Sequence, residues 1–180
     1  EFWVWLQLKV IADIGIIGLP NAGKSTLLSV ITSANPKIAN YKFTTLNPNL
    51  GVAVYDDKEI TLADIPGLIE GAHEGIGLGI KFLKHIERCK ILLHMIDVTE
   101  EDLVKSYKQI RNELKKYSND LVKKTEFIVF NKVDLVEKDD LKEKIKLFEE
   151  KTRKKVTILS NTDKKLISKI KSSLLKHVFK

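Results

Sequence analysis

The sequence predicts an α/β domain: a mostly parallel six-stranded sheet with helices on both faces. Three observations carry this. Short apolar runs alternate with stretches of helical periodicity along the chain. Only the second and third runs, residues 51–55 and 60–63, are joined by a link short enough for an antiparallel hairpin; the remaining strands need helical crossovers and are expected to be parallel. The loops richest in glycine and polar residues then fall at the carboxyl ends of the strands, where open α/β sheets bind ligands. Taken in order, a strand over 10–17 rests on the run ending Ile14-Gly15-Ile16-Ile17, and a helix over 24–32 on Leu27, Leu28 and Ile31 at helical spacing. The hairpin strands follow, the second reading Ile60-Thr61-Leu62-Ala63, then a helix over 79–87 and a strand over 91–96. A helix over 101–117 leads to a strand over 126–130, reading Glu126-Phe127-Ile128-Val129-Phe130. The chain closes with a helix over 140–150, a strand over 156–159 (Val156-Thr157-Ile158-Leu159) and a helix over 164–178. No internal repeat or low-complexity segment is present.

Between the first strand and first helix lies Gly18-Leu19-Pro20-Asn21-Ala22-Gly23-Lys24-Ser25, followed by Thr26. This is the P-loop pattern in the strand-to-helix setting that gives it meaning. The glycines let successive backbone N–H groups turn inward toward phosphate oxygens, and the helix N-terminus adds partial positive charge. Lys24 would reach the β- and γ-phosphates, and the Ser25 hydroxyl would ligate Mg²⁺. The bland alternative, a glycine-rich turn that binds nothing, fits the context poorly. A nucleoside triphosphate ligand is expected.

The base is read from Asn131-Lys132-Val133-Asp134, directly after the strand 126–130 and about 107 positions beyond Lys24. Guanine presents N1–H and the 2-amino group side by side, and one carboxylate accepts both. Adenine offers an acceptor at N1 and no 2-amino group, so an ionised Asp134 would face a lone pair, a strong means of discrimination. Asn131 would tie this loop to the P-loop, and the stem of Lys132 would cover the base plane. GTP or GDP is expected, not ATP. Between the two motifs, Asp64-Ile65-Pro66-Gly67 ends the strand 60–63. Asp64 would hold a Mg²⁺-bound water, and the Gly67 N–H would donate to the γ-phosphate. Such a sequence also makes a tight turn, and a turn that moves when the γ-phosphate leaves is how nucleotide switches work. A further Mg²⁺ ligand is expected from Thr44 or Thr45, between which sequence physics does not choose.

At 180 residues, with 43% hydrophobic and 31% charged side chains, the chain is one soluble domain. Its one cysteine, Cys89, excludes an intramolecular disulfide and fits a reducing cytoplasm. The apolar opening Glu1-Phe2-Trp3-Val4-Trp5-Leu6 is interrupted by Lys9 and Asp13 before it could span a bilayer, and it lacks the leading charges of a signal peptide. No Met precedes it, so the chain reads as an excised domain, with residues 1–8 a remnant of a linker or of cloning. Formal charge is +7, unevenly placed: residues 1–100 carry 9 basic and 11 acidic side chains, residues 101–180 carry 22 and 13. The basic excess is read either as an RNA-facing surface or as a lysine-rich solvated face; no aromatic residues interleave it for base stacking. His85 and His94 lack metal-ligand spacing and are expected to be structural.

The P-loop with Leu8-Lys9-Val10-Ile11-Ala12-Asp13-Ile14-Gly15 before it, Phe43-Thr44-Thr45-Leu46, and Asp64-Ile65-Pro66-Gly67-Leu68-Ile69-Glu70-Gly71-Ala72-His73-Glu74-Gly75 together resemble the G domain of the Obg GTPases, a Ras-like fold. Gly77-Leu78-Gly79-Ile80-Lys81-Phe82-Leu83-Lys84-His85-Ile86-Glu87-Arg88 continues the match. The neighbouring YchF-type ATPases share the P-loop but usually lack the guanine-reading carboxylate, so Asp134 argues against them. The resemblance places the Mg²⁺ ligand at Thr45 and implies nucleotide contacts from Phe43, Thr44, Thr45, Leu46 and Asn47. It also implies a base contact from Ser160-Asn161-Thr162, where the family usually has Ser-Ala-x and the contact is a backbone N–H to guanine O6. It implies a cytoplasmic, monomeric switch acting in maturation of the large ribosomal subunit, linked to guanosine tetraphosphate signalling; the family's glycine-rich N-terminal domain is not in this sequence.

In Ras-type enzymes a Gln follows the D-x-x-G glycine and orients the attacking water. Leu68 stands there and has no hydrogen-bonding group, so slow intrinsic turnover is expected. Asn21 resembles the asparagine that ligates K⁺ beside the phosphates in potassium-dependent GTPases; the alternative is a hydrogen bond within its own loop. Catalytic roles thus fall on Lys24, Asn21, Thr45 and Gly67, with Glu70, His73 and Glu74 as weaker candidates. The rival reading is a guanine-nucleotide sensor whose hydrolysis is negligible without a partner.

Overall fold

The computed structural model describes residues 12–32, 37–38, 49–55, 57–64 and 86–179. They form β1 (Ala12–Ile17), α1 (Lys24–Ile31), β2 (Lys37–Ile38), β3 (Asn49–Tyr55), β4 (Lys58–Asp64), β5 (Cys89–Asp97), α2 (Leu103–Tyr117), α3 (Asn119–Lys123), β6 (Thr125–Asn131), a 3₁₀ turn (Val133–Leu135), α4 (Lys138–Thr152), β7 (Val156–Ile158) and α5 (Lys164–Val178). The sheet runs β2-β3-β4-β1-β5-β6-β7. All six expected strands are in it, and the two-residue β2 adds an antiparallel edge beside β3. β3 and β4 form the expected antiparallel hairpin, and the pairings of β1 with β4 and β5, of β5 with β6 and of β6 with β7 are parallel.

Side chains alternate across the central strands, as a sheet covered on both faces requires. Ile14, Ile16, Leu62, Leu93, Met95 and Val129 point to one side, where α1 (Leu27, Leu28, Ile31) and α5 (Ile170, Leu174, Leu175) bury them. On the other side Ile17, Ala63 and Leu92 meet Ile110 and Leu114 of α2 and Leu121 of α3. Farther along that face Ile96, Ile128 and Phe130 pack with Leu103, Val104 and Tyr107 of α2 and Phe148 of α4. Helix starts follow their caps. Asp102 Oδ1 accepts from Lys105 N at 2.9 Å, and Asp163 Oδ1 accepts from Lys165 N at 2.8 Å.

Several bounds differ from the sequence expectation. α4 runs a full 15 residues, starting two before and ending two after the span 140–150. α2 begins at Leu103 because Asp102 is its cap. α3 was not expected; it is a five-residue turn opened by Ser118, whose side chain accepts from Asp120 N at 3.2 Å. Of the helix expected over 79–87, only residues 86–87 are described, and they are helical. Cys89, at the start of β5, is buried in the cluster beneath α2 and α3. Burial pushes its thiol up to about 12, which makes it an unreactive packing residue.

Candidate nucleotide-binding site

β1 delivers the chain into the P-loop with Ile17 fully buried, and α1 starts at Lys24. Gly23 makes the turn with φ 90 and ψ 20, a left-handed conformation that glycine adopts without strain. Asn21 also has positive φ, at 62, and is exposed. The Lys24 ammonium folds back over the loop, donating to the carbonyls of Gly18 at 3.0 Å and Leu19 at 2.9 Å. Burial lowers its pKa from the ordinary 10.5, while the nearby Asp64 carboxylate opposes that shift. Ala22 is buried, Pro20 and Thr26 are exposed, and Ala22 N closes the turn on Leu19 O at 3.3 Å.

Asp64 ends β4 and pairs in register with Ile16 of β1, which puts its carboxylate beside the P-loop. The Ser25 hydroxyl donates to Asp64 Oδ2 at 2.6 Å. Asp64 is buried, and its Oδ1 has no hydrogen-bond partner among the described residues. A hydroxyl and a buried carboxylate with an unused oxygen form a hard, oxygen-only donor pair, which suits Mg²⁺.

The second loop grows from β6. Register pairs Asp97, the last residue of β5, with Asn131, the last of β6. Asn131 is buried, and its Nδ2 donates to Ala22 O at 2.8 Å across 109 positions of sequence. Lys132 takes a left-handed backbone at φ 64, and its ammonium pairs with Asp97 Oδ2. Burial pushes the Asp97 carboxyl up, but the Lys132 partner and the Thr99 N–H and hydroxyl more than offset it and hold it low. Val133 N bonds Leu159 O at 3.3 Å, joining this loop to the one after β7. There Ser160 Oγ and Thr162 Oγ1 lie 2.7 Å apart, and Asn161 Nδ2 donates to Gly23 O at 3.1 Å. A surface groove beside these loops is bounded by Val133, Asp134, Ser160, Thr162 and the start of α5, with Asp134 exposed on its wall.

The structure thus brings together the P-loop, Asp64, Asn131, Lys132, Val133, Asp134, Ser160, Asn161 and Thr162. Phe43, Thr44, Thr45, Leu46, Asn47, Ile65, Pro66, Gly67, Leu68, Glu70, His73, Glu74 and His85 lie outside the described residues. His94, expected to be structural, is buried with its Nδ1 at 2.8 Å from Glu126 Oε1. Two participants were not expected from sequence: Asp97, which holds Lys132, and the side chain of Asn161.

The fold and these loops define a Ras-like P-loop GTPase domain. A family model described as "50S ribosome-binding GTPase" matches residues 13–132, and the chain belongs to that family. Within it, the GTPase Obg of Pelagibacter ubique (strain HTCC1062) is 66% identical over 178 residues, covering 99% of this chain and 54% of that protein. The GTPase Obg of Ehrlichia ruminantium (strain Gardel) is 56% identical over 180 residues, covering 100% and 52%. The chain spans about half the length of the curated relatives it matches. Among solved structures, Aquifex aeolicus Era bound to GDP.AlF4- aligns with TM-score 0.69 and 24% identity, over 91% of this chain and 56% of that one. The FeoB G-domain from Methanococcus jannaschii aligns with TM-score 0.63 and 22% identity, over 94% and 98%. These two share the fold. Among the described residues no helix is long and apolar enough to cross a membrane.

Proposed function

We propose that this chain is the G domain of an Obg-type protein, which binds GTP and hydrolyses it to GDP and phosphate as a conformational switch. The observation that carries the reading is the 2.8 Å bond from Asn131 to Ala22 O, which sets the N-K-x-D loop against the P-loop. A single purine nucleotide then reaches both. In this reading the backbone N–H groups of the loop 18–26 (Pro20, which has none, aside) and Lys24 hold the phosphates, and Asp134 accepts from guanine N1–H and the 2-amino group. The Asn161 N–H faces O6, while the Lys132 stem, its ammonium anchored on Asp97, lies along the base.

Ser25 directly, Asp64 through water, and Thr45 would hold Mg²⁺, which neutralises charge building on the phosphate oxygens. Water attacks the γ-phosphorus, the bond to the bridging oxygen breaks, and GDP leaves with that electron pair. The Gly67 N–H donates to the departing phosphoryl group. Leu68 offers the water no hydrogen bond, so turnover is slow. In this reading Asn21, exposed in the P-loop, ligates K⁺ beside the phosphates, and faster hydrolysis in K⁺ than in Na⁺ at matched ionic strength is expected. Equal rates would remove this role.

The partner in this reading is the large ribosomal subunit, met by a monomer in the cytoplasm, with guanosine tetraphosphate as a competing guanine ligand. The family description names the 50S ribosome, and an Era structure contains MgGDPNP with nucleotides of 16S ribosomal RNA. The decisive experiment is competition of GTP, GDP, XTP and ATP for the wild-type chain and for Asp134→Asn. The variant is expected to lose GTP and gain XTP by about a hundredfold or more, because the carboxylate that accepts both guanine donors is gone. Unchanged GTP affinity would refute the base assignment. A basal hydrolysis rate no faster than uncatalysed GTP, unmoved by ribosomal subunits, would favour the sensor reading, for which Leu68 speaks.

A further inference from the structure

Asn161 stands where the resembled family usually has alanine, and the expected base contact uses only its backbone N–H. Its side chain is therefore left for another task. Nδ2 donates to the carbonyl of Gly23 at 3.1 Å, bridging 138 positions of sequence. The adjoining carbonyl, Ala22 O, accepts from Asn131 Nδ2 at 2.8 Å. Two consecutive carbonyls of the P-loop are thus fastened by amides from two different base-side loops. The fit is close: a Cβ built on Gly23 would lie 2.3 Å from Asn131 Nδ2 and 3.0 Å from Asn161 Nδ2.

We propose that Asn161 is a positioning residue that couples the loop at the base to the loop at the phosphates, and so slows release of the nucleotide. The inference rests on the guanine-nucleotide reading above and adds a determinant of residence time to it. For nucleotide to leave, the 160–162 loop and the P-loop must part, and this hydrogen bond breaks as they do. An amide suits the role. Alanine does not reach the carbonyl, and the isosteric aspartate presents an oxygen to another oxygen. Gly23 O also accepts Leu27 N at 2.9 Å, the first helical bond of α1. Losing the Asn161 donor therefore leaves that carbonyl satisfied, and the effect falls on the coupling between loops more than on the fold.

The test is stopped-flow release of a fluorescent methylanthraniloyl GDP, chased with excess GDP, from the wild-type chain, Asn161→Ala and Asn161→Asp. Release is expected to quicken about five- to tenfold in Asn161→Ala, the scale of one net hydrogen bond, and at least as much in Asn161→Asp. Association rates and the melting temperature of the ligand-free chain stay near wild type. A merely structural role would lower the melting temperature together with quickening release. Release rates in both variants within about twofold of wild type, well under the effect of one such bond, overturn the proposal. So does quicker release accompanied by a matching loss of melting temperature. The guanine reading is judged separately by Asp134→Asn: unchanged GTP preference there sinks that reading, while the Asn161 variants, measured with Asp134 intact, judge the coupling.

Discussion

Gly23 is the residue on which both base-side loops converge. Its φ of 90 disfavours any side chain, and a Cβ would press into Asn131 Nδ2 at 2.3 Å. Gly23→Ala is therefore expected to weaken GDP binding about ten- to a hundredfold, combining backbone strain with displacement of the Asn131 amide. Isothermal titration checks this, and wild-type affinity would show that the P-loop shifts without consequence. The glycine–lysine spacing was readable because phosphate recognition is a backbone pattern fixed within eight consecutive residues. The Asn131 tie was readable as part of a four-residue motif. Asn161's tie was not, because a side chain that reaches across 138 positions leaves no local spacing to detect. The same holds for Asp97, whose link to Lys132 spans strands that only register brings side by side.

Between elements, the C-terminal end of α1 lies close on β3 at Gly51. A Cβ at Gly51 would lie 2.1 Å from Thr32 Cγ2 and 2.9 Å from Leu28 Cδ1. Gly51→Ala forces the C-terminal end of α1 outward, and a loss of about 1–3 kcal/mol is expected, as for other overpacked sites. Thr32→Ser removes the offending methyl and keeps the 2.8 Å bond from Oγ1 to Leu28 O. Adding it to Gly51→Ala should restore part of the lost stability in denaturant unfolding; simple additivity would show that the strain lies elsewhere. On the opposite face, the side chain of Glu126 of β6 is buried, with Oε1 at His94 Nδ1 and Oε2 accepting from Tyr107 at 3.1 Å and paired with Arg111 at 3.3 Å. Burial alone would raise its pKa, but His94, Arg111 and Tyr107 together bring it below the ordinary 4.5. A carboxylate depressed in the native state stabilises the fold above its unfolded value and loses that contribution as pH falls through the native one. Glu126→Gln should therefore lower the melting temperature at pH 7 by about 4–8 °C, for about 2 kcal/mol in a domain of this size. That gap should narrow once pH falls below 4.5, and a gap constant with pH would show that Glu126 acts through shape alone. No sequence pattern announced this cluster, since its members come from β5, α2 and β6 and meet only behind the sheet.

At the scale of the molecule, alternation of apolar runs was enough to give six of the seven strands, the hairpin of β3 and β4 and the helices on both faces. It missed β2 and α3 because elements of two and five residues are too short to show a period. It also started β4 too late, since Lys58 and Glu59 belong to the hairpin through pairing with Tyr55 and Val54 and not through burial. Charge, by contrast, could be counted from sequence but not placed. The structure gathers Lys105, Lys108, Lys115 and Lys116 of α2 along one face, around Gln109 and Asn112, with Lys151 of α4 lining the same groove. Asp102 and Glu113 also line it, but Asp102 caps α2 and Glu113 pairs with Lys116 at 3.0 Å. If the proposed ribosomal partner is met through RNA, this face carries charge that fits phosphates, and the lack of interleaved aromatics suits duplex backbone more than splayed bases. Reversing Lys105, Lys108 and Lys115 to Glu should then weaken binding to large subunits and flatten the log–log dependence on salt by roughly two to three units, one for each phosphate that is no longer neutralised. GDP affinity should stay the same, since none of these lysines lies in the nucleotide loops. Subunit binding that keeps its wild-type salt slope would assign the lysines to solvent, and the partner would then have to meet another face of the chain.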